Sequence, residues 1–310
     1  MGKFKGIVVG TLLAVMAVSA VGCTKKEEAK KNDITGQVKV DGSSTVAPIT
    51  QAVTEAFNGE YPGIKVSIGI SGTGGGFKKY VAGETDINDA SRAIKPEEEE
   101  KAKAKGIESE KLEVAYDGIA VVVSKENNWV KDIKVEDLKK IWEPNSKVKL
   151  WSDVNPAWPK EPIKLYGPGT DSGTFEYFTE AINGKAKAIR TDFTASEDDN
   201  VLVQGVSNDK YAMGYFGAAY YEENANKLNA LKINGVELKK ETIADKTYAP
   251  LSRPLYIYVS KTAAKRPEVA EFLNFYMKNV KDFVSAVGYF PLEDAKYQEG
   301  INKVKEITTK

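Results

Sequence analysis

Apolar and polar positions change period several times along the chain. Residues 7–18 form an apolar run without a single charge. That run is too short to cross a bilayer comfortably. Residues 24–36 (TKKEEAKKNDITG) are the reverse, charged and almost free of apolar side chains. They predict a solvated tether. From Val38 the pattern becomes that of a folded protein. Val38-Lys39-Val40 alternates as a short strand, residues 41–45 read as a turn, and Ile49, Val53 and Phe57 have helical spacing behind Pro48. Pro62-Gly63 ends that helix, and residues 64–70 (IKVSIGI) alternate as a second strand. Residues 71–76 (SGTGGG) read as a glycine-rich turn, with a helix opening at Phe77. Twice, then, a strand runs through a small polar loop into a helix, which is the βα unit of an α/β fold with parallel strands.

The second half continues in the same manner. Residues 119–124 (IAVVVS) are continuously apolar and largely β-branched, as in a strand buried on both faces. Residues 135–142 predict a short helix between Asp132 and Pro144, and 163–166 a short strand. Residues 167–174 (GPGTDSGT) form a third small polar loop, followed by a helix over 175–182. Strands are expected at 213–216 and 255–259, and helices at 267–278 and 280–287. No internal repeat is visible.

Length adds that 310 residues exceed one ordinary compact core, so two lobes are expected. The 44 basic and 44 acidic residues balance. That balance gives no support to a nucleic-acid binder. The chain has no histidine. A serine–histidine hydrolase is thereby excluded, and a zinc enzyme loses its commonest ligand. A single cysteine, Cys23, allows neither an intrachain disulfide nor a cysteine cluster.

Cys23 changes the reading of the N-terminus. Lys3 and Lys5 precede the apolar run, and Ser19, Ala20 and Gly22 lead to the cysteine. This is the layout of a secretory signal peptide over 1–22. It resembles a bacterial lipobox, with Ala20 where leucine is usual, and Cys23 is then the lipidated first residue of the mature chain. Loss of Lys3 and Lys5 reduces the 44 basic residues to 42 against 44 acidic ones. Any anion site must therefore be local rather than a product of overall charge.

The three loops share one chemistry. Ser43-Ser44-Thr45, Ser71-Gly72-Thr73 and Asp171-Ser172-Gly173-Thr174 each lie between a strand and a helix. Helix starts present unpaired N–H groups and a partial positive charge. Hydroxyls add donors, and glycine lets the backbone approach a ligand. Any one loop is equally an ordinary helix cap. Three of them suit a small tetrahedral oxyanion held by neutral donors. Arg92 is the candidate clamp, since a guanidinium can offer two parallel hydrogen bonds. Asp117 and Asp171 are candidate acceptors for a proton still carried by the anion. The four tryptophans read as packing residues rather than a ligand platform.

The stretches 41–48 (DGSSTVAP), 71–77 (SGTGGGF), 86–92 (DINDASR), 116–123 (YDGIAVVV) and 166–174 (YGPGTDSGT) together resemble the phosphate-binding proteins of phosphate ABC importers, the PstS family. The resemblance implies an α/β, two-lobe periplasmic-binding-protein fold of type II, with mixed sheets flanked by helices and phosphate in the interlobe cleft. By position Ser44 and Thr45 match the first family loop, Ser71 or Thr73 the second, and Ser172, Gly173 and Thr174 the third. Family members carry an aspartate where Arg92 stands and an arginine near Pro168, so the charge pair is rearranged here. The chain should cross between lobes near Tyr116 and return near Ser252. That gives one lobe of 37–116 plus 252–310 and another of 117–251, behind a lipidated tether of 23–36. The expected role is an extracytoplasmic, membrane-anchored monomer that passes phosphate to a permease, without catalysis or a cofactor. Another oxyanion such as sulfate or molybdate, or a phosphatase-like activity, are the alternatives. Ser146-Lys-Val-Lys149 matches a serine–lysine spacing but lies in an expected loop.

Overall fold

The computed structural model describes residues 33–170 and 172–309. The leader, Cys23, most of the tether and Asp171 lie outside the described residues. The strands are β1 (Gly36–Gly42), β2 (Ile64–Ile70), β3 (Ile87–Ala90), β4 (Ser109–Ser124), β5 (Asp132–Ile133), β6 (Lys164–Gly167), β7 (Thr194–Ala195), β8 (Ala212–Gly217), β9 (Leu228–Ala230), β10 (Lys232–Ile233) and β11 (Ser252–Ser260). The main sheet has the order β2-β1-β3-β11-β4-β8-β6-β7, with β9 also on β4. It is mixed. β1 is parallel to β2 and β3, and β6 to β7 and β8, as the βα units require. β11 is antiparallel to β3 and β4, and β4 to β8 and β9.

β4 is the spine. Its 16 residues span about 50 Å at roughly 3.3 Å each. The first part, up to Gly118 opposite Ser252, pairs with β11, and the part from Ile119 pairs with β8. From Val114 onward every residue of β4 is buried. Separate cores lie at its two ends. One gathers Val38, Ile49, Phe57, Val114, Ile257 and Phe272. The other gathers Val121, Trp142, Trp151, Phe178, Tyr215 and Tyr248. These are the two lobes, each with its own apolar centre and joined through β4 and β11. Trp142 sits edge-on to Phe178 and Tyr215, with ring centroids 5.6 and 5.0 Å away. It is a packing residue.

Two expectations are corrected. Residues 71–76 are not a turn, because the helix there begins at Gly72 (Gly72–Val81). Four glycines in its first turns look like helix breakers, yet a Cβ on Gly76 would stand 2.0 Å from Asn88 Oδ1 and 2.5 Å from Gly42 Cα. Glycine is what lets this helix rest directly on β1 and β3. The helices expected at 267–278 and 280–287 are one helix, Pro267–Val284. Val269, Phe272, Leu273, Tyr276, Met277, Val280 and Val284 keep one buried stripe across Asn279. Asn279 donates back to the Phe275 carbonyl at 2.7 Å and interrupts nothing.

Candidate functional site

A cleft of about 790 Å³ lies between the lobes. Three helices, Ala47–Glu60, Gly72–Val81 and Gly173–Asn183, start at its walls, so their N-terminal N–H groups and dipoles point toward one region. Such ends are ready-made anion sites.

The first loop is fixed from below. Ser43 N–H donates to the Asp89 carbonyl at 2.9 Å, and Thr45 N–H donates to Ser43 Oγ at 3.2 Å. Gly42 precedes it with φ +147°, and a Cβ there would meet the Asp89 carbonyl oxygen at 2.1 Å, so the loop can lie this close to β3 only on glycine. Ser44 and Thr45 face the cleft. In the second loop Ser71 donates its hydroxyl to Asp41 Oδ1, and Lys79 Nζ lies 2.5 Å from Asp41 Oδ2. Burial pushes the Asp41 carboxyl up, but Lys79 and Ser71 outweigh it and hold the group below the usual carboxylate range. Thr73 Oγ1 accepts the Ser91 N–H at 3.1 Å and sits 2.9 Å from Ser91 Oγ.

In the third loop Ser172 is the N-cap. Its Oγ accepts from Thr174 N at 3.2 Å and Phe175 N at 3.3 Å. Gly173 faces the cleft and touches the first loop across the lobes: a Cβ on it would be 2.8 Å from Thr45 Oγ1. Ser172 and Thr174 line an adjoining cavity of about 510 Å³, which Ser44 and Gly173 also border.

The charges are arranged differently from the sequence expectation. Arg92 lines the cleft, but Glu98 takes its fork, with Nη1 to Oε2 and Nη2 to Oε1 both at 2.9 Å. Asp117 is 2% exposed and stands one layer behind the cleft wall. Its partner is Arg253 on β11, which the sequence reading did not single out. Arg253 Nε is 3.2 Å from Asp117 Oδ2, and Nη2 donates to Thr45 Oγ1 at 2.9 Å. The guanidinium lies 3.5 Å over the Tyr177 ring centroid and faces the cleft. Burial raises the Asp117 carboxyl above its ordinary range, with Arg253 pulling the other way. A signal for this pair was available. The two residues adjoin the expected lobe crossings at Tyr116 and Ser252, and they carry opposite charge.

Chemically, the cleft offers hydroxyls, helix N–H groups and one cation whose position is set by a buried carboxylate. Among the described residues no group of three or more acidic or cysteine side chains is placed to hold a metal ion. The arrangement can hold a small oxyanion without a nucleophile–base pair.

A family model described as a PBP superfamily domain matches residues 27–280. Protein SphX of Synechocystis is 44% identical over 303 residues, which cover 96% of this chain and 88% of that protein. Phosphate-binding protein PstS of Staphylococcus haemolyticus is 38% identical over 284 residues, covering 90% and 88%. Among solved structures, a possible phosphate binding protein from Planctomyces limnophilus is 47% identical with a TM-score of 0.87, covering 89% of this chain and all (100%) of that one. A Clostridium perfringens protein solved with bound phosphate is 27% identical with a TM-score of 0.57, covering 83% and 100%. With this two-lobe fold, this cleft and these likenesses, the chain belongs to the phosphate-binding-protein (PstS) family within the PBP superfamily.

Proposed function

We propose that the protein captures inorganic phosphate in the interlobe cleft and hands it to an ABC importer. The observation that carries this reading is the convergence of three helix starts on one cleft that Arg253 also lines. A guanidinium with Nε turned to Asp117 and Nη2 to Thr45 still has donors for an anion. Ser44, Thr45, Thr73 and the N–H group at Gly173 are the proposed neutral donors, and Ser71 lines the same wall with its hydrogen on Asp41. Arg92 is a second cation at the rim, and Asp117 acts through Arg253 rather than on the anion. The relatives named as phosphate-binding proteins support the same ligand.

The lobes run over 37–116 plus 252–310 and over 117–251, hinged where β4 and β11 cross, and they close on the ligand. The protein works as a monomer on the outer face of the membrane, held by lipid on Cys23. Among the described residues no helix is long and apolar enough to cross a membrane. Binding without turnover is the expected activity.

Equilibrium dialysis of ligand-stripped protein against radiolabelled phosphate tests the reading. One phosphate should be retained per chain, a large excess of sulfate should not displace it, and p-nitrophenyl phosphate should not be hydrolysed. Displacement by equimolar sulfate or molybdate would make another oxyanion the cargo. Steady hydrolysis would make the protein an enzyme.

A further inference from the structure

The second loop carries a donor–acceptor asymmetry that decides which oxyanions fit. Ser71 enters the cleft with its hydroxyl hydrogen already committed to Asp41 Oδ1. An ionised carboxylate can only accept, so the serine must be the donor. Lys79 Nζ, 2.5 Å from the other Asp41 oxygen, keeps that carboxylate charged. With its single hydrogen used, Ser71 has only lone pairs left for the cleft. Thr45 is the converse. It accepts from Arg253 Nη2 at 2.9 Å and keeps its own hydrogen for a ligand.

Two glycines make room for the arrangement. A Cβ at Gly69 would fall 2.0 Å from Asp41 Oδ2, and one at Gly75 would fall 2.8 Å from Ser71 Oγ. Asp41 itself is 5% exposed and lies behind Ser71 on β1, so it cannot reach the ligand directly.

We propose that Ser71, fixed as an acceptor by the Asp41–Lys79 pair, takes the hydrogen bond from the protonated oxygen of bound phosphate, and that this relay is the specificity determinant against fully ionised oxyanions. The proposal rests on the reading of the cleft as a phosphate site. Hydrogen phosphate carries a P–OH that can donate to Ser71 Oγ. Sulfate at neutral pH has no hydrogen and sets its own lone pairs against those of the serine.

Calorimetric titration of wild type, Asp41→Asn and Ser71→Ala with phosphate, and with sulfate by displacement, tests the relay. In Asp41→Asn, Lys79 retains the amide oxygen, the amide nitrogen donates to Ser71, and the serine hydrogen turns to the cleft. The phosphate Kd should rise about tenfold or more while the sulfate Kd falls. In Ser71→Ala the phosphate Kd should rise about tenfold while the sulfate Kd falls, because the opposing lone pairs are gone. Ser71→Ala removes one exposed oxygen and leaves Asp41 with Lys79, so it decides the matter if Asp41→Asn does not fold. Equal changes for both anions, or no change, in the folded variants would overturn this inference alone. Wild-type protein that binds no phosphate would overturn the phosphate reading and this inference with it.

Discussion

Buried carboxylates near the cleft are held in opposite states by their neighbours. Asp41 has a lysine and a serine and stays charged. Asp89, two strands into the same lobe, is fully buried, with Thr50 donating to Oδ1 at 3.1 Å. Its other oxygen, Oδ2, has no hydrogen-bond partner among the described residues. Burial above all, with the nearby Asp41 charge adding to it, pushes Asp89 from the usual 3.8 up to about 8. The folded protein therefore binds a proton that the unfolded chain releases at much lower pH. Stability from this group is complete below the unfolded value and declines as pH rises toward about 8. Asp89→Asn, neutral at every pH and close in shape, should match wild type in urea unfolding only near pH 3, below the unfolded value, and exceed it by a margin that grows from about pH 4 to about pH 8. A stability difference that stays constant across that range would show that Asp89 does not take up the proton. None of this was legible in the sequence. DINDASR reads as a short alternating strand, and only the packing of Tyr276 and Thr50 over it makes Asp89 different from a turn residue.

The elements show why the glycine-rich segment was misread. A run such as SGTGGG carries no apolar periodicity, and glycine in a helix interior costs about 1 kcal/mol relative to alanine. The chain tolerates that cost because tertiary contacts need it at some of these positions and not at others. Gly76 sits against Asn88 and Gly42, whereas a Cβ on Gly74 would meet only Arg92 Nη2 at 3.6 Å. Gly76→Ala should therefore lower stability by about 1–3 kcal/mol, as overpacking does. Gly74→Ala should raise it by about 0.4–1 kcal/mol through the unfolded chain. Thermal unfolding of the two variants checks the pair, and equal effects would mean that the helix does not rest on β1 and β3 as described. β1, β2, β6, β8, β11, the second half of β4 and the remaining βα loops were legible because alternation, apolar runs and small polar punctuation are local signals, whereas β3, β5, β7, β9 and β10 are too short to carry a clear one. The C-terminal helix Asp294–Thr308 was not. Its buried residues, Tyr297, Gly300, Val304 and Ile307, are too sparse to stand out before the first lobe is assembled around them.

At the scale of the whole molecule, Arg253 is where both lobes and the spine meet. It bonds Asp117 on β4, reaches the first loop of one lobe at Thr45, and lies on Tyr177 in a helix of the other lobe. The sequence placed both lobe crossings beside this pair but assigned the clamp to Arg92, because an arginine at the end of a motif is visible and one inside an ordinary strand is not. A sequence separation of 136 between Asp117 and Arg253 hides their contact until β4 and β11 pair. Removing the charge would leave Asp117 buried alone and destabilise the fold, so Arg253→Lys is the informative change. A lysine keeps the charge but has no fork to serve Asp117, Thr45 and an anion at once. The measurement is calorimetric titration of ligand-stripped wild type and Arg253→Lys with phosphate at neutral pH, with folding confirmed by circular dichroism. The account predicts one-to-one binding by wild type and a Kd at least about tenfold weaker for the variant, the loss of one charge-assisted hydrogen bond. Equal affinity in the two folded proteins would contradict it and place the phosphate away from Arg253.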